Sequence, residues 1–313
     1  NPLTPGNLSK SFSFTVQCFT AEEDLQLPLF ILFLLIYLIT ILGNSAVFTT
    51  ITLSPKLHSP MYMFLGSLSF LDISYTSTTL PKLLHMLYTQ QKTISFTGCM
   101  IQLYFFMAFA CTEGILLSTM AYDRYVAICH PLHYARLMNQ NHCAKFLSGV
   151  WVAGFLDTIP HATLTATLSF CKSHHIDHFF CDIIPLLKIT CSDTSTIEIM
   201  TYINGVIVLI STFALTSISY VFIIRTILKI QSSQGRQKAF STCTSHLTCV
   251  ILLYVTMTCS YMRPTESYNP GLDSFFALLY ISFIPMFNPF IYTLKNKEFK
   301  AIVSKTRAKR SLF

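Results

Sequence analysis

The chain has 313 residues, of which 52% are hydrophobic and only 11% charged, with a mean hydropathy of +0.53. A soluble domain carries roughly 25% charged residues, so the composition excludes a soluble globular protein and leaves little chain for a separate soluble domain. The formal net charge of +7 has no soluble surface on which to form a basic patch, which excludes nucleic acid as a partner.

Residues 1–25 lack the compact apolar core and small-residue cleavage site of a cleavable signal peptide. They read as an outer tail with a glycosylation sequon at Asn7-Leu8-Ser9. Seven windows then reach the length of about 20 predominantly apolar residues that a membrane span needs. They cover 26–52, 60–88, 96–128, 142–168, 196–229, 238–262 and 271–294. The expected fold is an all-α membrane protein: a seven-helix transmembrane bundle over 26–294 with a long outer loop near 169–195, then a cytoplasmic helix and tail over 295–313. Basic residues set the orientation. With the N-terminus outside, fifteen Lys/Arg fall inside: Lys56; Arg124, Arg136, Lys145; Arg225, Lys229, Arg236, Lys238; and seven from Lys295 to Arg310. Six fall outside: Lys10, Lys82, Lys92, Lys172, Lys188 and Arg263. The positive charge is a topology signal.

Polar groups inside so apolar a chain carry the chemistry. Residues 120–129 read MAYDRYVAIC, and the pair Asp123–Arg124 at the inner end of the third segment is expensive to bury; ionisable groups so placed are usually functional, paired and facing protein, not lipid. Asp72 and Glu113 lie well inside the second and third segments. They are either protonated by desolvation or, with Ser69, Ser118 and Asn288 nearby, hold a small cation on oxygen ligands. Pro285 and Pro289 each remove a backbone donor and bend the seventh segment. From Lys295 to Arg310 the cations alternate with Phe299, Ile302 and Val303. That suits an amphipathic helix on anionic inner-leaflet lipid, the other reading being a disordered basic tail.

Four cysteines, Cys99, Cys171, Cys181 and Cys191, fall on the oxidising outer side. They allow three connectivities, between which spacing does not choose. Cys111, Cys129, Cys143, Cys243, Cys249 and Cys259 fall in or near spans and read as packing residues; Cys18 has no assigned role. His174, His175 and His178 have ordinary loop spacing and read as solvated or packing side chains in preference to metal ligands.

Several strings stand at segment ends: GNSAV (43–47), LHSPMYMFLGSLSFLDISYTS (57–77), MAYDRYVAIC, IDHFFCDIIPLLKITC (176–191), KAFSTCTSHL (238–247) and PMFNPFIYTLKN (285–296). In that order the chain resembles, from Gly43 to about Phe299, the olfactory receptor branch of the rhodopsin-like (class A) G-protein-coupled receptors, leaning to the tetrapod-type class II. The resemblance implies an odorant receptor that is not an enzyme. It would bind a small, mainly apolar, uncharged volatile and catalyse nucleotide exchange on a heterotrimeric stimulatory G protein, raising cyclic AMP. Its implied place is the plasma membrane, N-terminus outside, in the cilia of olfactory sensory neurons, with membrane lipid and trafficking chaperones as further partners. A non-sensory chemoreceptor of the same family has the same sequence signature. Transporters often show inverted repeats; none stands out here, and the DRY and NPFIY strings have no role in one.

The resemblance also implies the bridges Cys99–Cys181 and Cys171–Cys191, and sodium beside Asp72 with Glu113 as an added ligand. It assigns Asp123, Arg124, Tyr125, Tyr220, Asn288, Pro289 and Tyr292 to G-protein coupling and activation. Arg124 would be held by Asp123 at rest and released toward Tyr220 and Tyr292. Two departures stand out. Val250 to Met262 contains neither the tryptophan nor the proline of the Cys-Trp-x-Pro bend of other class A receptors, and Tyr254 occupies that region. Phe287 stands where many relatives have leucine.

Helical geometry orders the third segment. Eighteen residues separate Phe106 from Arg124, five whole turns, so if Arg124 faces the bundle interior Phe106 does too. Phe106, Met107, Ala110 and Cys111 are therefore expected to border an outer cavity, the alternative for each being plain helix packing. Asn204, Val208, Tyr254, Thr258 and Tyr261 are expected to complete it from the fifth and sixth segments. Amine-binding relatives have an aspartate where Phe106 stands, and retinal pigments a lysine midway along the seventh segment; both are missing here. Such a lining suits a small, mainly apolar ligand.

Overall fold

The computed structural model describes residues 12–17, 23–261, 269–294 and 299. Asn7, Cys18 and the basic segment after Leu294, Phe299 excepted, lie outside the described residues. In chain order the elements are β1 (Ser13–Val16), α1 (Glu23–Leu53), a 3-10 turn (Pro55–Leu57), α2 (Pro60–Thr89), β2 (Thr93–Ser95), α3 (Phe96–Cys129) and α4 (Pro131–Leu137). Then come α5 (Gln140–Thr167), β3 (His175–Ile176), α6 (Ile183–Lys188), α7 (Ser195–Leu228), α8 (Ser233–Tyr261), α9 (Pro270–Leu278), a π turn (Leu279–Phe283) and α10 (Ile284–Leu294). The seven expected segments are α1, α2, α3, α5, α7, α8 and the composite α9–α10. Five of these are long and apolar enough to cross a membrane on composition alone. The other two, α2 and α5, have 30 and 28 residues but no stretch as uniformly apolar as those of the five. Outward-facing residues such as Leu42 and Ile207 are exposed, which is the arrangement lipid requires.

Helix ends follow local signals. Pro60 occupies the first turn of α2, where its missing N–H costs nothing. Ser95 caps α3 by accepting from the Gly98 N–H at 3.1 Å, and Asn139 caps α5 through the His142 N–H at 2.9 Å.

The prolines of the seventh segment explain two distant residues. Pro289 cannot donate to the Pro285 carbonyl, nor Pro285 to that of Ile281. Asn44 Nδ2 donates to the orphaned Pro285 oxygen at 2.9 Å, and the Thr76 hydroxyl to that of Ile281 at 3.3 Å. Helices α1 and α2 thus supply the donors that α10 and the π turn lack. Gly43 permits the approach: a Cβ there would meet the Pro289 ring at 3.3 Å. Likewise a Cβ on Gly154 of α5 would lie 2.9 Å from the Thr112 backbone nitrogen, so α3 and α5 touch backbone to backbone.

The outer face holds an element the sequence reading treats as tail. Strand β1 lies between β2 (antiparallel, Phe14 opposite Ile94) and β3 (parallel, Thr15 opposite His175). Its alternation is that of a half-buried strand: Phe14 and Val16 are buried while Ser13 is exposed. Phe14 packs edge-on against Phe170, with Phe12 and Phe96 alongside. The bridges Cys99–Cys181 and Cys171–Cys191 are both formed, pinning the outer loop to the top of α3. The six expected packing cysteines are free thiols.

Candidate ligand cavity and inner-face network

Beneath that roof is a cavity of about 820 Å³, walled mainly by apolar surface. From α3 it receives Phe106, Met107, Ala110 and Cys111, the residues on the expected stripe, and Gly114 one turn deeper. From α7 come Asn204 and Val208, and from α8 Tyr254 and Tyr261. Phe106 is fixed by its neighbours, stacked on Tyr75 at 5.4 Å and tilted against Phe180 at 4.6 Å.

One expected residue is absent from the wall. Thr258 is exposed on the outside of α8 and does not line the cavity. The lining arc of α8 is Leu253, Tyr254, Met257 and Tyr261. At 100° per residue Thr258 falls about 40° beyond Tyr254, on the side away from Met257.

Other wall residues escaped the sequence reading: Asp157 and His161 from α5, Asp182 from the loop and Glu198 from α7. The wall is thus less uniformly uncharged than the absence of an acid at position 106 suggested. Asp157 had a signal, since it is a third carboxylate inside an apolar window, the criterion that singled out Asp72 and Glu113. All three acids are engaged within the protein, Asp157 through Oδ2. Glu198 Oε1 accepts from the Thr194 hydroxyl at 2.6 Å. Asp182 accepts from the Ile183 N–H at 2.7 Å and from the Tyr261 hydroxyl at 3.1 Å. Burial pushes the Asp182 carboxyl up to about 6, against the lowering effect of those two bonds. The Tyr261 hydroxyl also meets that of Tyr280 at 3.0 Å, so it is already engaged.

The outer-loop histidines separate. His178 is buried, stacked on Phe179 at 4.9 Å, and desolvation drives its pKa down to about 3 despite a bond to the Phe180 backbone. His174 packs on Phe12, and His175 is exposed near Asp177.

Below the cavity, Asn288 Nδ2 donates to both oxygens of Asp72 at 3.1 and 3.0 Å. The Cys249 thiol donates to Asn288 Oδ1 at 3.2 Å. Glu113 is buried and close enough to Asp72 to interact electrostatically, and among the described residues neither acid forms a salt bridge. Two buried carboxylates with no cationic side chain form a donor set that fits a small hard cation.

At the inner end Arg124 Nε lies 3.8 Å from Asp123 Oδ2, and Asp123 Oδ1 accepts from the Tyr134 hydroxyl at 2.9 Å. Tyr125 bonds to His130 at 3.0 Å. Tyr292 is buried in the inner core, where Phe299 also packs. Tyr220 is 2.8 Å from His246 Nδ1, and His246 Nε2 is 2.9 Å from the Leu117 carbonyl. A carbonyl only accepts, so Nε2 carries the proton and Nδ1 accepts from Tyr220. His246 stands in the KAFSTCTSHL string, to which the sequence reading gave no role.

Comparison with known proteins agrees with this architecture. A family model described as "Olfactory receptor" matches residues 33–310. Olfactory receptor 8D1 of Homo sapiens is 43% identical over 304 residues, covering 97% of this chain and 98% of its own. Olfactory receptor 1C1 of Homo sapiens is 43% identical over 98% of each chain. Olfactory receptor 5AR1 of Mus musculus is 43% identical over 97% of this chain and 98% of its own. The chain therefore belongs to the olfactory receptor family, as a multi-pass membrane receptor coupled to G proteins and not an enzyme.

Proposed function

We propose that the outer cavity admits a small, mainly apolar, uncharged volatile, and that its binding shifts the helix bundle toward a state that activates a stimulatory G protein and raises cyclic AMP. The observation that carries this reading is the cavity of about 820 Å³ between α3, α5, α7 and α8, roofed by a disulfide-anchored loop. Small-molecule sites span about 300–1,000 Å³ with mostly apolar walls. Phe106, Met107, Ala110, Cys111, Asn204, Val208, Tyr254 and Tyr261 form its contact set. A ligand that prefers one state of the bundle shifts it by its differential affinity. Asp123, Arg124, Tyr125, Tyr220, Asn288, Pro289 and Tyr292 are the transmitting set. In the olfactory setting the receptor sits in the plasma membrane of sensory cilia, N-terminus outside, delivered with trafficking chaperones.

The test is a cyclic AMP screen of diverse volatiles on the expressed receptor, followed by dose–response curves for agonists of increasing size on Ala110→Leu. Extra methylenes in a packed site are poorly tolerated, so larger agonists should lose more potency than smaller ones. Equal loss for all sizes would refute the contact role. A primary amine or a carboxylate as the strongest agonist would refute the uncharged class.

Asp72 and Glu113 would hold sodium, which supplies only fixed positive charge at the bundle centre. Binding to the folded state stabilises by mass action. The wild-type Tm should rise in sodium relative to a bulky organic cation at equal ionic strength, and Asp72→Asn and Glu113→Gln should each remove the increment. A wild-type Tm indifferent to sodium would mean protonated structural carboxyls.

A further inference from the structure

The α5 wall of the cavity presents hydrogen-bond acceptors that the protein does not consume. Asp157 Oδ2 accepts from Asn204 Nδ2 at 2.9 Å and from the Cys111 thiol at 3.6 Å. Asp157 Oδ1 makes no hydrogen bond among the described residues, and the side chain lines the cavity. One turn outward, His161 Nδ1 lies 3.3 Å from the Asp157 backbone carbonyl. That carbonyl only accepts, so Nδ1 carries the proton, and in the neutral ring Nε2 is an acceptor. His161 also lines the cavity, and no lysine or arginine does. Two acceptors four residues apart share one helix face, and the donors that meet Asp157 there, the Cys111 thiol and one N–H of Asn204, are directed at Oδ2.

We propose that Asp157, with His161 beside it, selects ligands whose apolar body carries one uncharged hydrogen-bond donor, an aliphatic or phenolic hydroxyl. This rests on the reading of the cavity as the ligand site and adds its chemical preference. A hydroxyl hydrogen can bond to Oδ1 or Nε2, whereas a ketone or ester of the same skeleton offers those two atoms only further acceptors. A site built to hydrogen-bond a substrate group discriminates strongly against the analogue lacking it.

The existing bonds make a sharp substitution available. Asn204 and Cys111 both donate toward Oδ2, so in Asp157→Asn the amide oxygen takes that place and the NH2 group stands where Oδ1 was. The cavity-facing atom changes from acceptor to donor with almost no change of shape. Cyclic AMP dose–response curves would be recorded for an alcohol, the matching ketone and the hydrocarbon on the skeleton of the most potent volatile found by screening. They would be run on wild type, Asp157→Asn and Ala110→Leu. The wild type should favour the alcohol over the ketone by about tenfold or more, the range a single satisfied buried hydrogen bond spans. Asp157→Asn should lose most of that ratio, with the ketone gaining potency outright, which a misfolded variant cannot produce. An alcohol-to-ketone ratio unchanged by Asp157→Asn, with Ala110→Leu still penalising larger agonists, would overturn the donor preference and leave the cavity standing. Agonists indifferent to both substitutions would overturn the cavity reading, and the donor preference with it.

Discussion

The outer and inner halves of the bundle use polar side chains in opposite ways. In the outer half, Asp157 and His161 keep acceptors turned to an open cavity. In the inner half Tyr220, His246 and Leu117 form a closed chain, and Asp123 is met by both Tyr134 and Arg124. An unmet buried polar group costs about 1–3 kcal/mol, so the outer half is held in a state that a ligand can improve. In the inner half the atoms without a hydrogen bond among the described residues, Arg124 Nε, Asp123 Oδ2 and the Tyr292 hydroxyl, are sealed between helices, so they gain partners only when the bundle itself rearranges. Between them Asp72, Glu113 and Asn288 couple α2, α3 and α10. Each substitution below touches one half and asks whether the other follows.

The largest effect should come from the roof. Cys99→Ser or Cys181→Ser frees the loop from α3, and loss of a native disulfide typically costs 2–5 kcal/mol. Surface delivery, read by labelling an outer epitope on intact cells, should fall to background. Normal delivery of either variant would mean that the Cys99–Cys181 bridge is dispensable to the fold.

A smaller loss is expected from Asn44→Ala, which leaves the Pro285 carbonyl without its donor at the bend of α10. Thermal unfolding should show a destabilisation of about 1–3 kcal/mol. An unchanged Tm would mean that the bend satisfies that carbonyl in some other way.

The smallest effect is a pH dependence confined to the outer face. Folding lowers His178 from 6.5 to about 3, so its contribution is fully present above about 6.5 and is lost as pH falls below it. Between pH 7.5 and 5.5 that costs about 1.4 kcal/mol. Asp182 is raised from 3.8 to about 6, so it binds protons better when folded and partly offsets the loss over the same range. His178→Phe should therefore abolish the acid-induced fall in Tm, and Asp182→Asn should steepen it. The same slope in all three proteins would refute both assignments.

How much of this was legible depended on the range of the interactions. The seven helices were readable to within a few residues because apolar length is a local property of the chain. The α3 stripe was readable because Arg124 gave a fixed phase five turns from Phe106. On α8 the rotation was centred on Tyr254 and Tyr261 alone, so Thr258 was placed inward, when Leu253 and Met257 pull the true arc the other way. Strand β1 was invisible because four residues do not identify a strand whose partners at Thr93 and His175 lie far along the chain. Asp157 was missed although its signal was present, since the carboxylate rule was applied to α2 and α3 and not to α5. The Asn44–Pro285 bond was beyond reach, because a donor in α1 and a proline in α10 meet only after the bundle closes.

The most direct measurement separates the halves in one experiment. Agonist-dependent thermal stabilisation of purified receptor and cyclic AMP output in cells would be compared for wild type, Ala110→Leu and Arg124→Ala at matched surface expression. Arg124→Ala should keep the full agonist-induced rise in Tm and lose all cyclic AMP output. Ala110→Leu should lose the rise for large agonists and keep both rise and output for small ones. If Arg124→Ala lost the agonist-induced rise as completely as the output, or signalled at the wild-type level, the division between a ligand-receiving outer half and a transmitting inner half would be contradicted.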